Sequence, residues 1–266
     1  FSKAQGQRSV NLTANFERIT GFEKRSIYNA GLRYQARAGK LSLVDISGTD
    51  EKGATYSVTA RRTNNQTNFI INSDDAGNAL AFTNIYSRME GGKLVANLVR
   101  SENGPFVGPV RIRDFEVINE PRLARFASSV RSQTKAERGQ VTPIIPEDVE
   151  KRARFQLAES RIEKGDGYLN IKDAIIRNPA IGITATGIVY NQKDRMDLAG
   201  TFMPANVVNS VISKIPLLGN LLSDRDNPFI GITYRLSGPR RKPTLLVNPL
   251  SIVAPGVFKK VFEFSN

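Results

Sequence analysis

The chain has no cysteine and no histidine. These absences remove thiol chemistry, disulfides, imidazole bases and the usual zinc ligand sets. Carboxylate metal sites and Ser/Lys or Asp/Glu chemistry remain open. Long hydrophobic runs are missing too, and none approaches the roughly 18–20 residues that span a bilayer. The longest candidate, Val207 to Leu222, is interrupted by Asn209, Ser210, Ser213, Lys214 and Pro216. The chain starts at Phe1 with no apolar leader. It therefore reads as a piece of a longer protein, with any membrane anchor outside the segment. No Gly-rich phosphate loop or nucleophile-elbow serine is present, so an enzyme is not expected. No cofactor and no metal are expected either.

What is present is positive charge and alternation. The 266 residues carry a formal net charge of +13, which suits an anionic partner such as nucleic acid, phospholipid headgroups or lipopolysaccharide. The cations are spread along the chain and alternate with apolar positions, as on the solvent side of strands. A solvated basic surface is the simpler reading, and a dedicated patch is the sharper one. A nucleic-acid partner is not expected, because aromatics do not cluster with the basic residues along one strand face except at the C-terminus.

Apolar residues recur with period two over most of the chain, the signature of strands with one apolar face. Such rows are Val10/Leu12/Ala14/Phe16, Leu32/Tyr34/Ala36, Tyr56/Val58/Ala60, Leu94/Ala96/Leu98 and Val110/Ile112. Further rows are Ile181/Ile183/Ala185/Val189, Met196/Leu198/Phe202 and Ile230/Ile232/Tyr234/Leu236. Turn chemistry separates them at Asp50–Gly53, Asp75–Gly77, Gly91–Gly92, Asn103–Pro105 and Gly165–Gly167. Short connections between alternating strands imply an antiparallel meander. Two stretches break the period. Pro121 to Ser132 has Leu123, Phe126, Ala127 and Val130 at helical spacing, and a polar crossover follows it. From Pro204, Val208, Ile212, Ile215, Gly219 and Leu222 share one helical face, widened by Val207, Val211 and Leu218. Pro216 should kink or split that helix. The organisation expected is 1–119 as a first β segment, 120–152 as helix and crossover, and 153–266 as a second β segment with a helix inserted at 204–222.

Several features have plain and sharp readings. Asp74 and Asp75 could be paired carboxylates for catalysis or metal, but beside Ala76-Gly77 they read as turn or helix-capping residues. The 204–222 helix could dock on a membrane or plug a groove end, or its apolar face could simply cover the sheet. Arg240, Arg241, Lys242, Lys259 and Lys260, near Phe258, Phe262 and Phe264, could meet anionic headgroups. A solubilised loop and a final strand is the simpler reading.

The order of several short motifs resembles the C-terminal end of AsmA-like envelope proteins, of the YhdP and TamB type. The motifs are Asp197 to Asn206, Ile215 to Leu222, Tyr234 to Pro239, Val247 to Ser251 and Ala254 to Gly256. Upstream, Asp74 to Gly77, Ile85, Tyr86, Met89 to Leu94, Arg113 to Phe115 and Glu120 to Leu123 continue the similarity, so that it touches most of 70–260. The resemblance implies a mainly β fold, a long curved antiparallel sheet forming an open or taco-like groove, with a few short amphipathic helices. It implies a periplasmic segment of an inner-membrane-anchored protein. That segment would shield phospholipid acyl chains in a hydrophobic groove, for transport between the membranes or for outer-membrane homeostasis. Its partners would be phospholipid and either an outer-membrane-side surface or an envelope protein. The groove-lining residues expected are Ile183, Ala185, Leu198, Phe202, Ile232 and Tyr234. Small inward residues, Ala14, Ala36, Ala60, Ala96, Ala185 and Gly187, would leave room for an acyl chain. The docking residues expected are Val208, Ile212, Ile215, Leu218 and Leu222, with Arg240, Arg241, Lys242, Lys259 and Lys260. Periodicity alone favours a closed β-sandwich; the resemblance favours the groove. The alternative function is a non-transporting envelope module that docks on a membrane surface or partner protein.

Overall fold

The computed structural model describes residues 9–121, 123, 151–179, 181–190, 194–204, 230–240 and 242–252. Its first strands are β1 (Val10–Thr20), β2 (Ser26–Arg37), β3 (Lys40–Thr49), β4 (Thr55–Thr63) and β5 (Gln66–Ser73). Helix α1 (Ala76–Phe82) follows, then β6 (Met89–Ser101), β7 (Phe106–Ile118), β8 (Arg152–Gly165) and β9 (Tyr168–Arg177). The last strands are β10 (Ile181–Tyr190), β11 (Arg195–Pro204), β12 (Ile230–Pro239) and β13 (Thr244–Ile252). All 13 belong to one sheet whose spatial order is the sequence order, β1 to β13. This is a mainly β, open antiparallel sheet: the alternation predicts its antiparallel meander, while its being one open sheet follows the expectation from the resemblance and not the closed sandwich that periodicity alone favours. By contacts the chain divides into one unit of 1–116 with 161–166 and a second of 117–160 with 167–266.

In the first unit, pairing register carries the apolar pattern from strand to strand. One row runs Leu12, Tyr34, Val44, Ala60, Phe69 and Leu98 across β1 to β6. A second, parallel to it, runs Ala14, Leu32, Ile46, Val58, Ile71 and Ala96. The alternate residues pair among themselves as Thr13, Arg33, Asp45, Thr59, Ile70 and Asn97 on the other face. Since successive side chains point to opposite faces, one face is apolar and the other largely polar. Burial follows the same alternation: Leu94, Ala96 and Leu98 are buried in β6, whereas Lys93, Val95 and Asn97 are exposed.

Bulges reset the alternation. Between β2 and β3 the register shifts at Tyr28/Gly31, where Asn29 takes a positive φ of 49°, and again at Gln35/Ala36. In β9 it shifts opposite Ala185/Gly187, where Asp173 takes a φ of 50°. An extra residue in one strand flips which parity faces inward. Thus Leu169 and Ile171 share a face with Ala174 and Ile176.

The connection between β5 and β6 carries α1. Asp75 caps it, accepting a 2.8 Å bond from the Asn78 amide. Asp74 instead accepts from the Thr55 hydroxyl at 2.5 Å, tying the helix entry to β4. Both aspartates are therefore structural, as the Ala-Gly context suggests. The Gly91–Gly92 pair differs from expectation: it lies inside β6 and is not a connection. Both glycines have positive φ, and a Cβ on Gly92 would sit 2.8 Å from that of Phe115. Gly92 thus admits the close approach of the buried Phe115. Pro121 and Leu123 are helical; the rest of the expected 121–132 helix lies outside the described residues.

Candidate functional site

The strongest candidate is the apolar face of the first unit. It is not uniformly buried. Ala60 is fully inaccessible, whereas Ile46 is 39% and Leu12 49% exposed. Val10 and Phe16, on the same face of β1, are exposed as well. Large apolar side chains thus stand open towards the β1 end, while the alanines among them, Ala30, Ala36, Ala60 and Ala96, are buried. Contiguous exposed apolar surface of this kind marks an interaction or ligand surface.

The two strand ends of this face differ chemically. At the end bearing the β2–β3, β4–β5 and β6–β7 turns, the row Arg62, Thr67 and Arg100 continues the apolar face by one pleat. Glu102 accepts from Lys40 at 2.6 Å and from Arg62 at 2.9 Å, and these two cations hold its carboxyl below the usual carboxylate range. The Arg100 guanidinium lies 4.7 Å from the centroid of the Phe106 ring, which meets Phe69 edge-on at 4.9 Å. At the opposite end, Tyr56 donates to Asp50 at 2.9 Å and accepts from the Asn78 side-chain Nδ2 at 2.8 Å. Burial, above all, raises the Tyr56 hydroxyl well beyond the ordinary tyrosine range. Nearby, Tyr28 donates to Glu51 at 2.8 Å.

In the second unit, register aligns most of the expected lining residues. Ile183 pairs with Phe202, and Phe202 with Ile232. Leu198 pairs with Gly187 and Leu236, and Tyr234 with Gly200 and Val247. Ala185 faces Ala174 of β9. Ile183, Ala185 and Leu198 are half-buried and Phe202 is buried; the Ile232 side chain lies outside what is described. Tyr234 has a specific duty. Its ring reaches past Gly200, and its hydroxyl donates to the Thr184 carbonyl at 2.7 Å. The Thr201 amide meanwhile donates to the Thr184 hydroxyl at 3.0 Å. The phenol thus repairs a break in the β10–β11 ladder, and burial pushes its pKa up to about 12. Gly187 does not make space for a chain. Its φ is +141°, and a Cβ there would lie 2.1 Å from the Asp197 carbonyl oxygen, so close backbone approach dictates the glycine. On the other face Arg235 clamps Asp197 with bonds of 2.8 and 2.7 Å.

Of the expected docking residues, Arg240 ties the β12–β13 turn to the preceding hairpin. Its amide donates to the Asp194 carbonyl at 2.8 Å, and its guanidinium sits 3.8 Å from the Asp194 carboxylate. Lys242 is exposed. Val208, Ile212, Ile215, Leu218, Leu222, Arg241, Lys259 and Lys260 lie outside the described residues. Among the described residues no cluster of acidic side chains could hold a metal, and no helix is long and apolar enough to cross a membrane. Sequence reasoning placed the lining side chains in the second half, and in the first half named only the small inward residues Ala14, Ala36, Ala60 and Ala96. The first-unit rows carry the same signal, and β3 and β5, which supply Val44, Ile46, Phe69 and Ile71, escaped notice. Comparison with protein-family models, curated proteins and solved structures finds no match.

Proposed function

We propose that the chain is a lipid-binding β segment of the AsmA-like type, which shields phospholipid acyl chains on its apolar face. It would serve transport between inner and outer membranes as part of an inner-membrane-anchored periplasmic protein. The observation that supports this best is the pair of apolar rows that crosses β1 to β6 in register. Five inter-strand spacings at about 4.8 Å make each row roughly 24 Å long. Each methylene withdrawn from water there gains about 0.8 kcal/mol. No covalent chemistry is needed. The polar rows on the opposite face keep the sheet solvated.

The test is lipid loading. The purified protein is incubated with phospholipid vesicles, separated from them, and weighed by native mass spectrometry. Retained phospholipid at a fixed stoichiometry is expected for the wild type, with little or none for the double variant Leu12→Asp, Ile46→Asp. Both positions are already exposed, so the fold should tolerate the change. A wild-type protein that stays lipid-free refutes the reading and leaves a docking module in its place.

A further inference from the structure

We infer that the turn end of the first unit is a head-group rim, on which Arg62 and Arg100 take the phosphate of a net-anionic phospholipid. The inference rests on the lipid reading above and adds both a direction and a selectivity to it. Arg62 and Arg100 flank Thr67 on the apolar face itself, two residues along their strands from Ala60, Phe69 and Leu98. At about 3.3 Å per residue, the cationic row lies roughly 7 Å from the last apolar row. A phosphate there and acyl chains on the rows belong to one amphiphile, and free phosphate would make no use of the apolar neighbour.

Both guanidinium groups are held in place before any ligand arrives. Arg62 is only 17% exposed at its side chain; its Nε donates to the Asn64 carbonyl at 3.1 Å, and its terminal nitrogen to Glu102. The Arg100 Nε donates to the Gly104 carbonyl at 3.0 Å, and its plane is supported by Phe106. A guanidinium has five N–H groups in a rigid fork, so these bonds leave donors for a bidentate phosphate contact. Lys40 and Arg62 together flank the single carboxylate of Glu102, and Arg100 adds a further positive charge to the same row. At the other end of the same face, Asp50 and Glu51 accept from Tyr56 and Tyr28, Asp75 caps the adjacent helix, and the Arg18 guanidinium lies 5.7 Å from the centroid of the Tyr28 ring. Carboxylates and a cation are mixed there, whereas the turn end puts two held guanidinium groups in one row of the apolar face with a single carboxylate beside them.

The test compares vesicles of phosphatidylglycerol with vesicles of phosphatidylcholine, reading lipid retained per protein after separation. The wild type should retain phosphatidylglycerol preferentially. Arg62→Gln with Arg100→Gln should reduce that preference roughly fivefold for each charge removed, while phosphatidylcholine loading persists and attests to the fold. The pair Arg61→Gln, Arg113→Gln removes the same charge at exposed positions away from the rim row, and should keep the preference. Arg100→Gln alone serves if the double variant does not fold. An unchanged preference in the rim variants, an equal loss in the control pair, or inorganic phosphate binding at the rim as tightly as the lipid would each overturn the inference and leave the groove standing. A wild type that retains neither lipid defeats the groove and the rim together.

Discussion

Tyr234→Phe isolates one bond with two separable consequences. At neutral pH the variant removes the 2.7 Å bond to the half-buried Thr184 carbonyl and leaves that acceptor without the phenol donor. The ladder cannot compensate, since the Thr201 amide is committed to the Thr184 hydroxyl. An orphaned buried carbonyl costs about 1–3 kcal/mol. The second consequence is in the alkaline limb. Burial pushes the folded-state pKa of Tyr234 up to about 12, against about 10 in the unfolded chain. The group binds its proton more tightly when folded. Its contribution is therefore complete below about pH 10 and is lost as pH rises towards 12. Two pKa units correspond to about 3 kcal/mol. Phenylalanine has no such proton to lose. Urea unfolding followed by circular dichroism should show the variant less stable at neutral pH, with the gap closing between about pH 10 and 12. Tyr28 and Tyr56 also have raised values, but they are common to both proteins and cancel in the difference. A variant as stable as wild type at neutral pH refutes the ladder-repair role. A gap that stays constant to about pH 12 refutes the burial argument.

Three further outcomes are expected. Gly200→Ala places a Cβ 1.9 Å from the Thr184 carbonyl oxygen and 2.7 Å from the Tyr234 hydroxyl, so urea unfolding should show a loss at the upper end of the ~1–3 kcal/mol range for overpacking. Asp75→Ala removes the cap on α1 and should cost about 1 kcal/mol by the same measurement. Asp74, Glu102 and Asp197 have carboxyls held below the usual range, chiefly by the Thr55 hydroxyl, Lys40 and Arg235 respectively. Their stabilisation is present above the ordinary carboxylate pKa and lost as pH falls through the lowered values. All three are solvent-exposed, so the acid decrease in melting temperature should be small and should shrink further in high salt; a large, salt-independent decrease counts against it.

Much of this sheet was legible in its alternation, and two of the strands that were not, β3 and β9, share a cause. Eight strands were readable because each carries a run of apolar residues at one parity, as in Leu94, Ala96 and Leu98. Strand β3 hides because the shift at Gln35/Ala36 brings Leu41 opposite Ala36, while Val44 and Ile46 continue the face at even positions. Strand β9 hides because the irregularity at Asp173 moves the inward set from Leu169 and Ile171 to Ala174 and Ile176. In each the period-two signal is present on either side of the bulge and cancels across it. The candidate site was obscured differently. Arg62 and Arg100 read as two more cations in a basic chain, and only pairing through Thr67 puts them in one row of the apolar face, on either side of β5. Tyr234 read as one more inward aromatic, because the ladder gap that it fills depends on Thr184, Gly200 and Thr201 in two other strands. Period two shows that a strand has two faces. Which polar residues end up bordering an apolar face is decided by partners in neighbouring strands, and in this sheet by the bulges that set their register.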